Sequence, residues 1–290
     1  MTAPYLNIHV IVNPASGPDR PILNTLNDVF RKHGVDWDVS ITKRYGDASR
    51  QAREAISRGV DLVVGYGGDG TQHELANAVI GTNMPMGILP GGTGNGFARE
   101  MGIPKDLREA VELLCTCRNV RHVDAARVGG EYFIQRLYAG VPPESQTSRE
   151  MKERFGLLAY AVTVPKQILR AKESDYQLTV DGRTICVSGI KCYIVNSGRT
   201  GTGLTVDADF SPTDGLLDVF VVSRKPLSVM SAEARFLRLP TADAGLYYWR
   251  GKEITIEAQP AQAIWMDGEH QGNSPVTAQV VPGGLAVVAP

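Results

Sequence analysis

Asp61-Leu62-Val63-Val64-Gly65-Tyr66-Gly67-Gly68-Asp69-Gly70-Thr71 is the stretch on which the fold turns. Residues 61–64 read as a short buried strand running into Gly65, and residues 71–80 as a helix. The glycines between them let the chain take positive φ and let backbone amides approach a ligand closely. A strand end lined with free N–H groups and opening a helix is a phosphate cradle. Two further segments have the same character, Asn13-Pro14-Ala15-Ser16-Gly17 and Gly91-Gly92-Thr93-Gly94-Asn95, each after a short apolar run. One such loop is weak evidence; three at successive strand ends of one α/β unit point to a nucleotide. Gly67–Thr71 is not a Walker A loop, because no Gly-Lys-Ser/Thr follows it. Asp69 is placed to hold a divalent cation or to orient the loop.

Working outward, strand and helix signals alternate. Ile8, Val10 and Val12 share one face of a strand that breaks at Asn13-Pro14. Residues 21–33 carry Ile22, Leu23, Leu26, Val29 and Phe30 at helical spacing and end at Gly34. Residues 39–42 and 86–89 read as strands. Residues 47–58 read as a helix with Asp47 or Ser49 as N-cap, and 107–114 as another. This alternation predicts an open, mostly parallel sheet with helices on both sides.

The pattern changes near residues 119–124. Strand-like runs follow at 123–128, 132–138, 176–180, 184–187, 191–195, 217–222, 253–258, 263–266 and 278–281. Turn pairs such as Gly129-Gly130 and Asp181-Gly182 separate several of them. This half reads as an antiparallel β-sandwich interrupted by a helical insert at about 148–171. The expected division is an α/β domain over 1–122, rejoined by about 283–290, and a β-rich domain over 123–282.

Composition narrows the classes. Hydrophobic residues are 43% and charged residues 21% of 290, as in a soluble globular protein. The net charge of -1 leaves no global basic field for nucleic acid or an anionic membrane. The start of the chain lacks the basic and apolar regions of a signal peptide. Its longest apolar-leaning run, 156–165, falls far short of the roughly 20 residues a membrane helix needs. Cys115, Cys117, Cys186 and Cys192 form no CxxC pair or zinc pattern, and read as buried free thiols of a reducing cytoplasm. His9, His33, His73, His122 and His270 are scattered; His73 and His270 stand beside motifs.

The three glycine segments, with Glu74 after the second, occur in the order seen in the diacylglycerol kinase catalytic-domain family, which includes bacterial lipid kinases and sphingosine kinases. The second half resembles that family too, in Asn196-Ser197-Gly198 with Gly201 and Gly203, in Ser211-Pro212-Thr213-Asp214-Gly215-Leu216-Leu217-Asp218, and in Asp267-Gly268-Glu269. Gly-Gly-Asp-Gly alone is shared with NAD kinases and phosphofructokinases, whose α/β architecture the first domain is expected to share. The resemblance implies ATP bound in a cleft between two domains and a γ-phosphoryl group passed, with Mg²⁺, to a lipid hydroxyl. It implies nucleotide contacts from Asn13, Pro14, Ala15, Ser16, Gly17, Thr42, Gly67, Gly68, Asp69, Gly70, Thr71 and Thr93. It makes Asp267-Gly268-Glu269 the catalytic segment. Asp267 is the first choice for the base, and Glu269 is close enough to take that role. Ser211, Asp214 and Leu216 match positions where some bacterial members hold a structural Mg²⁺; the alternative is a plain Asp-Gly hairpin turn. Asp124 resembles an aspartate linked to the catalytic metal through water. Glu74 either braces the site or is a solvated helix residue.

Two departures stand out. Gly96-Phe97 follows Asn95 where many members read Asp-Phe, and Gln135-Arg136-Leu137-Tyr138 stands where many carry an asparagine and small residues. The mixed basic and apolar segment 151–172 is read as a helix covering the β domain, against the alternative of a membrane-surface element. The resemblance further implies a lipid substrate met peripherally at a membrane surface, no nucleic-acid partner, and a cytoplasmic protein reaching the inner membrane face; a homodimer stays open. An NAD-kinase-like activity and a catalytically silent nucleotide- or lipid-binding protein are the competing readings. The lipid itself is not named by the sequence.

Overall fold

The computed structural model describes residues 3–17, 21–140, 173–197, 211–223 and 246–290. They fall into two compact units. One comprises the residues up to Ala125 together with Val281–Pro290, and the other those from Ala126 to Val280.

In the first unit, β1 (Asn7–Val12), β2 (Asp36–Ile41), β3 (Leu62–Gly67) and β4 (Met86–Pro90) are parallel, in the order β2-β1-β3-β4. β3 is buried along its whole length, as a continuous apolar run covered on both faces must be. Helix α1 (Ile22–His33) packs on α5 (Leu107–Thr116), and α2 (Asp47–Ser57) packs on α3 (Asp69–Val79). Right-handed crossovers place the two pairs on opposite faces of the sheet. The short helix α4 (Gly96–Glu100) follows β4. The end of β16 (Val276–Val288) completes the sheet, running parallel to β4 with Val287 opposite Met86. It is fastened by Asn119 Nδ2 donating to the Ala289 carbonyl at 3.0 Å.

The second unit is two facing antiparallel layers. One contains β8 (Ser174–Val180), β9 (Arg183–Gly189), β13 (Glu253–Gln259) and the start of β16. A short hairpin joins the end of β5 (Val120–Val128) to β6 (Glu131–Phe133). The other layer is β12-β11-β10-β7-β14-β15, built from β7 (Arg136–Gly140), β10 (Lys191–Val195), β11 (Leu217–Val222), β12 (Leu246–Gly251), β14 (Ala263–Met266) and β15 (Glu269–Asn273). Strict alternation of buried and open positions along β8 sends Tyr176 and Leu178 inward, where they meet Phe133, Ile194, Ile256 and Met266. Asp181-Gly182, both at positive φ, closes the two-residue β8–β9 hairpin.

The α/β unit and the β-sandwich are as expected; several details differ. The run 132–138 is two strands, not one. Its ladder stops at Ile134-Gln135 because the amides of Ile134, Gln135 and Arg136 donate to the Asp267 carboxylate instead. Helix α2 is capped by neither Asp47 nor Ser49: Gly46 is its N-cap residue, and Asp47 turns back to accept the Lys43 amide at 2.9 Å. Leu23 is exposed, lying at the flank of the α1 stripe in its first turn, while Leu26, Val29 and Phe30 are buried. Only Cys115 and Cys192 are buried thiols; Cys117 is half-buried and Cys186 exposed on β9. The expected insert at 148–171, the basic segment 151–172, and Gly198, Gly201 and Gly203 lie outside the described residues.

Candidate active site

The strand order in the first unit reverses between β1 and β3, since β1 leads to β2 on one side and the chain then returns to β3 on the other. In open parallel sheets, ligands bind beyond the carboxyl ends of the strands at such a switch point. Asn13–Gly17 leaves β1 and Gly67–Thr71 leaves β3 there, and Gly91–Asn95 leaves the neighbouring β4. The loops are bonded to one another. Asn13 Nδ2 donates to Thr71 Oγ1 at 3.1 Å, while Asn13 Oδ1 accepts the Ala15 amide at 3.0 Å and so folds the first loop. The Gly91 amide donates to the Gly67 carbonyl at 2.9 Å.

Two glycines make this packing possible. Gly17 has φ +78°, and a Cβ there would lie 2.1 Å from the Gly91 carbonyl oxygen. A Cβ on Gly92 would lie 2.5 Å from Gly68 Cα. The loops thus meet backbone to backbone. Gly68, the N-cap residue of α3, leaves that helix without a side-chain cap, and the positive end of its dipole faces this edge of the sheet. Thr42 is buried and donates its amide to the Val12 carbonyl at 2.9 Å, so it sits beside the Asn13 loop. Pro14, Ala15 and Thr93 are exposed, and Ser16 and Gly70 half-buried.

Acidic residues hold this frame. Asp69 accepts the amides of Gly96 at 3.1 Å and Phe97 at 3.0 Å, one on each oxygen, and thereby caps α4. Of the two roles open to it in the sequence, the geometry shows loop orientation, and the Gly96 amide is one of its ligands. Asn95 closes its own loop, accepting the Gly92 amide at 2.9 Å. Glu74 is a brace: its carboxylate accepts the amides of Gly46 at 2.8 Å and Ala48 at 3.1 Å, at the start of α2. Burial pushes the Glu74 carboxyl up, against the pull of those amides. Asp124, buried on β5, accepts the Gly283 amide at 2.8 Å. His73 is buried on α3.

In the second unit, Asp267 and Gly268 form the β14–β15 turn at positive φ. The Asp267 carboxylate accepts three amides, from Ile134 at 2.8 Å, Gln135 at 3.1 Å and Arg136 at 2.8 Å. Asn196 grips the same segment from the other side, its Nδ2 donating to the Ile134 carbonyl at 2.9 Å. Asp267 is therefore a fastened carboxylate. Glu269, two residues on, is exposed at the start of β15 opposite Met266. Residues directly opposite in a ladder share a sheet face, so Glu269 lies on the face of Met266. On that face opens a cavity of about 720 Å³, lined among others by Val128, Glu131, Ile264, Met266, Gln271 and Val276. His270, opposite Trp265, packs its ring against that indole at 5.0 Å between centroids.

At Ser211, Asp214 and Leu216, the positions matched to a structural metal, the one carboxylate is engaged by the protein itself. Asp214 Oδ1 accepts the Leu216 amide at 3.0 Å and Oδ2 accepts Arg250 Nη2 at 2.6 Å, while Ser211 Oγ is 2.8 Å from Thr213 Oγ1. Each oxygen of the one carboxylate in the trio accepts a hydrogen bond, one of them from a cation. Among the described residues, no group of three or more His, Cys, Asp or Glu side chains is arranged to hold a metal ion. Arg250 went unread in the sequence, where the aromatic run Tyr247-Tyr248-Trp249 before it was the available strand signal.

Two family models match the chain. The diacylglycerol kinase catalytic domain covers residues 7–128, and the YegS C-terminal NAD kinase beta sandwich-like domain covers residues 136–289. A protein of Staphylococcus haemolyticus named a "putative lipid kinase" is 28% identical over 263 residues, which are 86% of this chain and 84% of that one. One of the same description from Staphylococcus aureus is 25% identical over 261 residues, 86% of this chain and 85% of its own. The crystal structure of a "putative diacylglycerol kinase" from Bacillus anthracis superposes with a TM-score of 0.87 at 24% identity, covering 100% of this chain and 99% of that one, and thus shares the fold. With its α/β unit and its β-sandwich each matched by a domain of that family, the chain belongs to the diacylglycerol kinase catalytic-domain family.

Proposed function

We propose that the protein is an ATP-dependent lipid kinase that passes the γ-phosphoryl group of ATP to a hydroxyl of a lipid such as a diacylglycerol or a sphingoid base. The observation that carries this reading is the backbone-to-backbone convergence of three glycine loops at the β1–β3 switch point, in a chain of a lipid-kinase family. Loops without side chains leave amides to meet phosphate oxygens, and the N-terminus of α3 adds its dipole. Asn13, Thr42, Thr71 and Thr93 surround that surface with small polar groups. Mg²⁺, arriving with the nucleotide, supplies the charge that phosphoryl transfer must neutralise. Asp69, through the lone pairs that the Gly96 and Phe97 amides leave, and Asp124 through water are the carboxylates that would hold the ion.

The acceptor is served by the second unit. Glu269, exposed and bearing no backbone ligand, takes the proton of the lipid hydroxyl as its oxygen bonds to the γ-phosphorus. The bond to the bridging oxygen of the β-phosphate breaks, and ADP leaves. Asp267 is a positioning residue, fixing the turn that carries Glu269. The cavity beside Met266 has an apolar wall of Val128, Ile264 and Val276 for the body of the acceptor. Contact with a membrane is peripheral in this reading; no helix among the described residues is long and apolar enough to cross one.

The test is to incubate the purified protein with γ-labelled ATP, Mg²⁺ and a mixed lipid extract in detergent. Label in the organic phase establishes the transfer, and the mass of the labelled species names the acceptor. ATP binding without organic label would turn the reading toward a non-lipid acceptor or a binding protein.

A further inference from the structure

Asp218, on β11, stands directly opposite Arg250 on β12. Its side chain is 3% exposed, and a carboxylate buried to that degree requires a counter-charge and filled hydrogen bonds. Arg250 Nε provides the first at 3.0 Å, and the Tyr248 hydroxyl adds a bond of 2.6 Å to the same oxygen. With Nε tied to Asp218, the planar guanidinium holds Nη2 against Asp214 Oδ2 at 2.6 Å. Asp214 is pinned on its other oxygen by the Leu216 amide. One fixed cation thus ties the turn before β11 to the β11–β12 ladder.

We infer that the Arg250 guanidinium replaces, in this chain, the structural divalent cation that the resemblance places at Ser211, Asp214 and Leu216, leaving that turn metal-independent. A metal ion approaching Asp214 meets a positive charge already bonded to it. Arginine stays charged across the accessible pH range, so the charge cannot be withdrawn by deprotonation. Nor can the side chain swing away without leaving the buried Asp218 carboxylate with the Tyr248 hydroxyl but no counter-charge. This is a structural role, and it stands apart from whichever acceptor the protein phosphorylates.

The experiment is thermal unfolding of the full chain in EDTA, in millimolar Mg²⁺ and in millimolar Ca²⁺, for the native protein, Asp214→Asn and Arg250→Met. The native protein and Asp214→Asn are expected to respond to the metals equally, within about 1 °C. Arg250→Met is expected to unfold several degrees lower in EDTA. A metal-induced rise of roughly 5 °C in the native protein that is lost in Asp214→Asn would show a working metal site and overturn the inference. An Arg250→Met protein as stable in EDTA as the native one would overturn it equally. Should Arg250→Met fail to fold, the comparison of the native protein with Asp214→Asn decides alone.

Discussion

Glu74, in the middle of α3, accepts the Gly46 amide at 2.8 Å, so one helix of the first unit is capped by a side chain from its neighbour. The capped turn begins just after Thr42, beside the Asn13 loop. Burial raises the Glu74 carboxyl above its ordinary 4.5. A raised folded-state pKa gives stability that is present below the unfolded value and lost as pH rises through the folded one. The stability advantage of the native protein over Glu74→Gln should therefore fall as pH climbs past 4.5 and then level off. Urea unfolding of both proteins across that window measures it, and a constant or growing advantage would contradict the assignment.

Asp267 and Glu269 should separate by mutation. Asp267→Asn puts an amide donor where three backbone amides converge and should destabilise by about 1–3 kcal/mol, with activity falling as the turn loosens. Glu269→Gln should fold with native stability and bind ATP normally, while kcat drops about a hundred- to ten-thousandfold. Denaturation curves, ATP titration and turnover on both variants test the pair. The roles are reversed if Glu269→Gln turns over normally.

The glycine contacts make a sharper forecast. Gly17→Ala meets the Gly91 carbonyl at 2.1 Å in a left-handed conformation, which alone costs about 1–2 kcal/mol. The loops must part, so ATP affinity should weaken at least about tenfold, while Gly34→Ala, where φ is +67° and a Cβ meets nothing within 4 Å, should lose stability but not affinity. Equal ATP affinities in the two variants would argue against the loop convergence as the nucleotide seat.

If Asp69 both orients α4 and holds the metal, Asp69→Ala should lower stability by about 1–2 kcal/mol, as loss of a helix cap does. Whatever activity it retains should show a half-saturating Mg²⁺ concentration raised about tenfold or more. The native Mg²⁺ dependence in that variant would leave Asp69 with α4 alone.

Much of this was legible in residue order. β10, β11 and β14 have the bounds their β-branched and aromatic runs predict, because each is an inner strand paired on both sides. The glycine loops were legible because backbone approach leaves a compositional mark. What escaped were features set by distant partners. The break at Ile134-Gln135 is imposed by Asp267, more than a hundred residues later. β15 reads Glu-His-Gln-Gly-Asn, a polar sequence made a strand by pairing with β14. The α4 turn exists because Asp69 caps it. Arg250 could be placed on Asp214 only once β12 was laid against β11. Local propensity carries the ladders; long-range hydrogen bonds carry the exceptions.

The return of β16 to the first unit has a consequence for biogenesis. The strand beside β4 is supplied by residues after Val280, and Ala289 is tied to Asn119. During translation, the first unit must wait with an open edge at β4 until the whole sandwich has been synthesised. Its nascent form offers an unpaired parallel edge for that interval, the state in which chaperone capture and misassociation compete with folding.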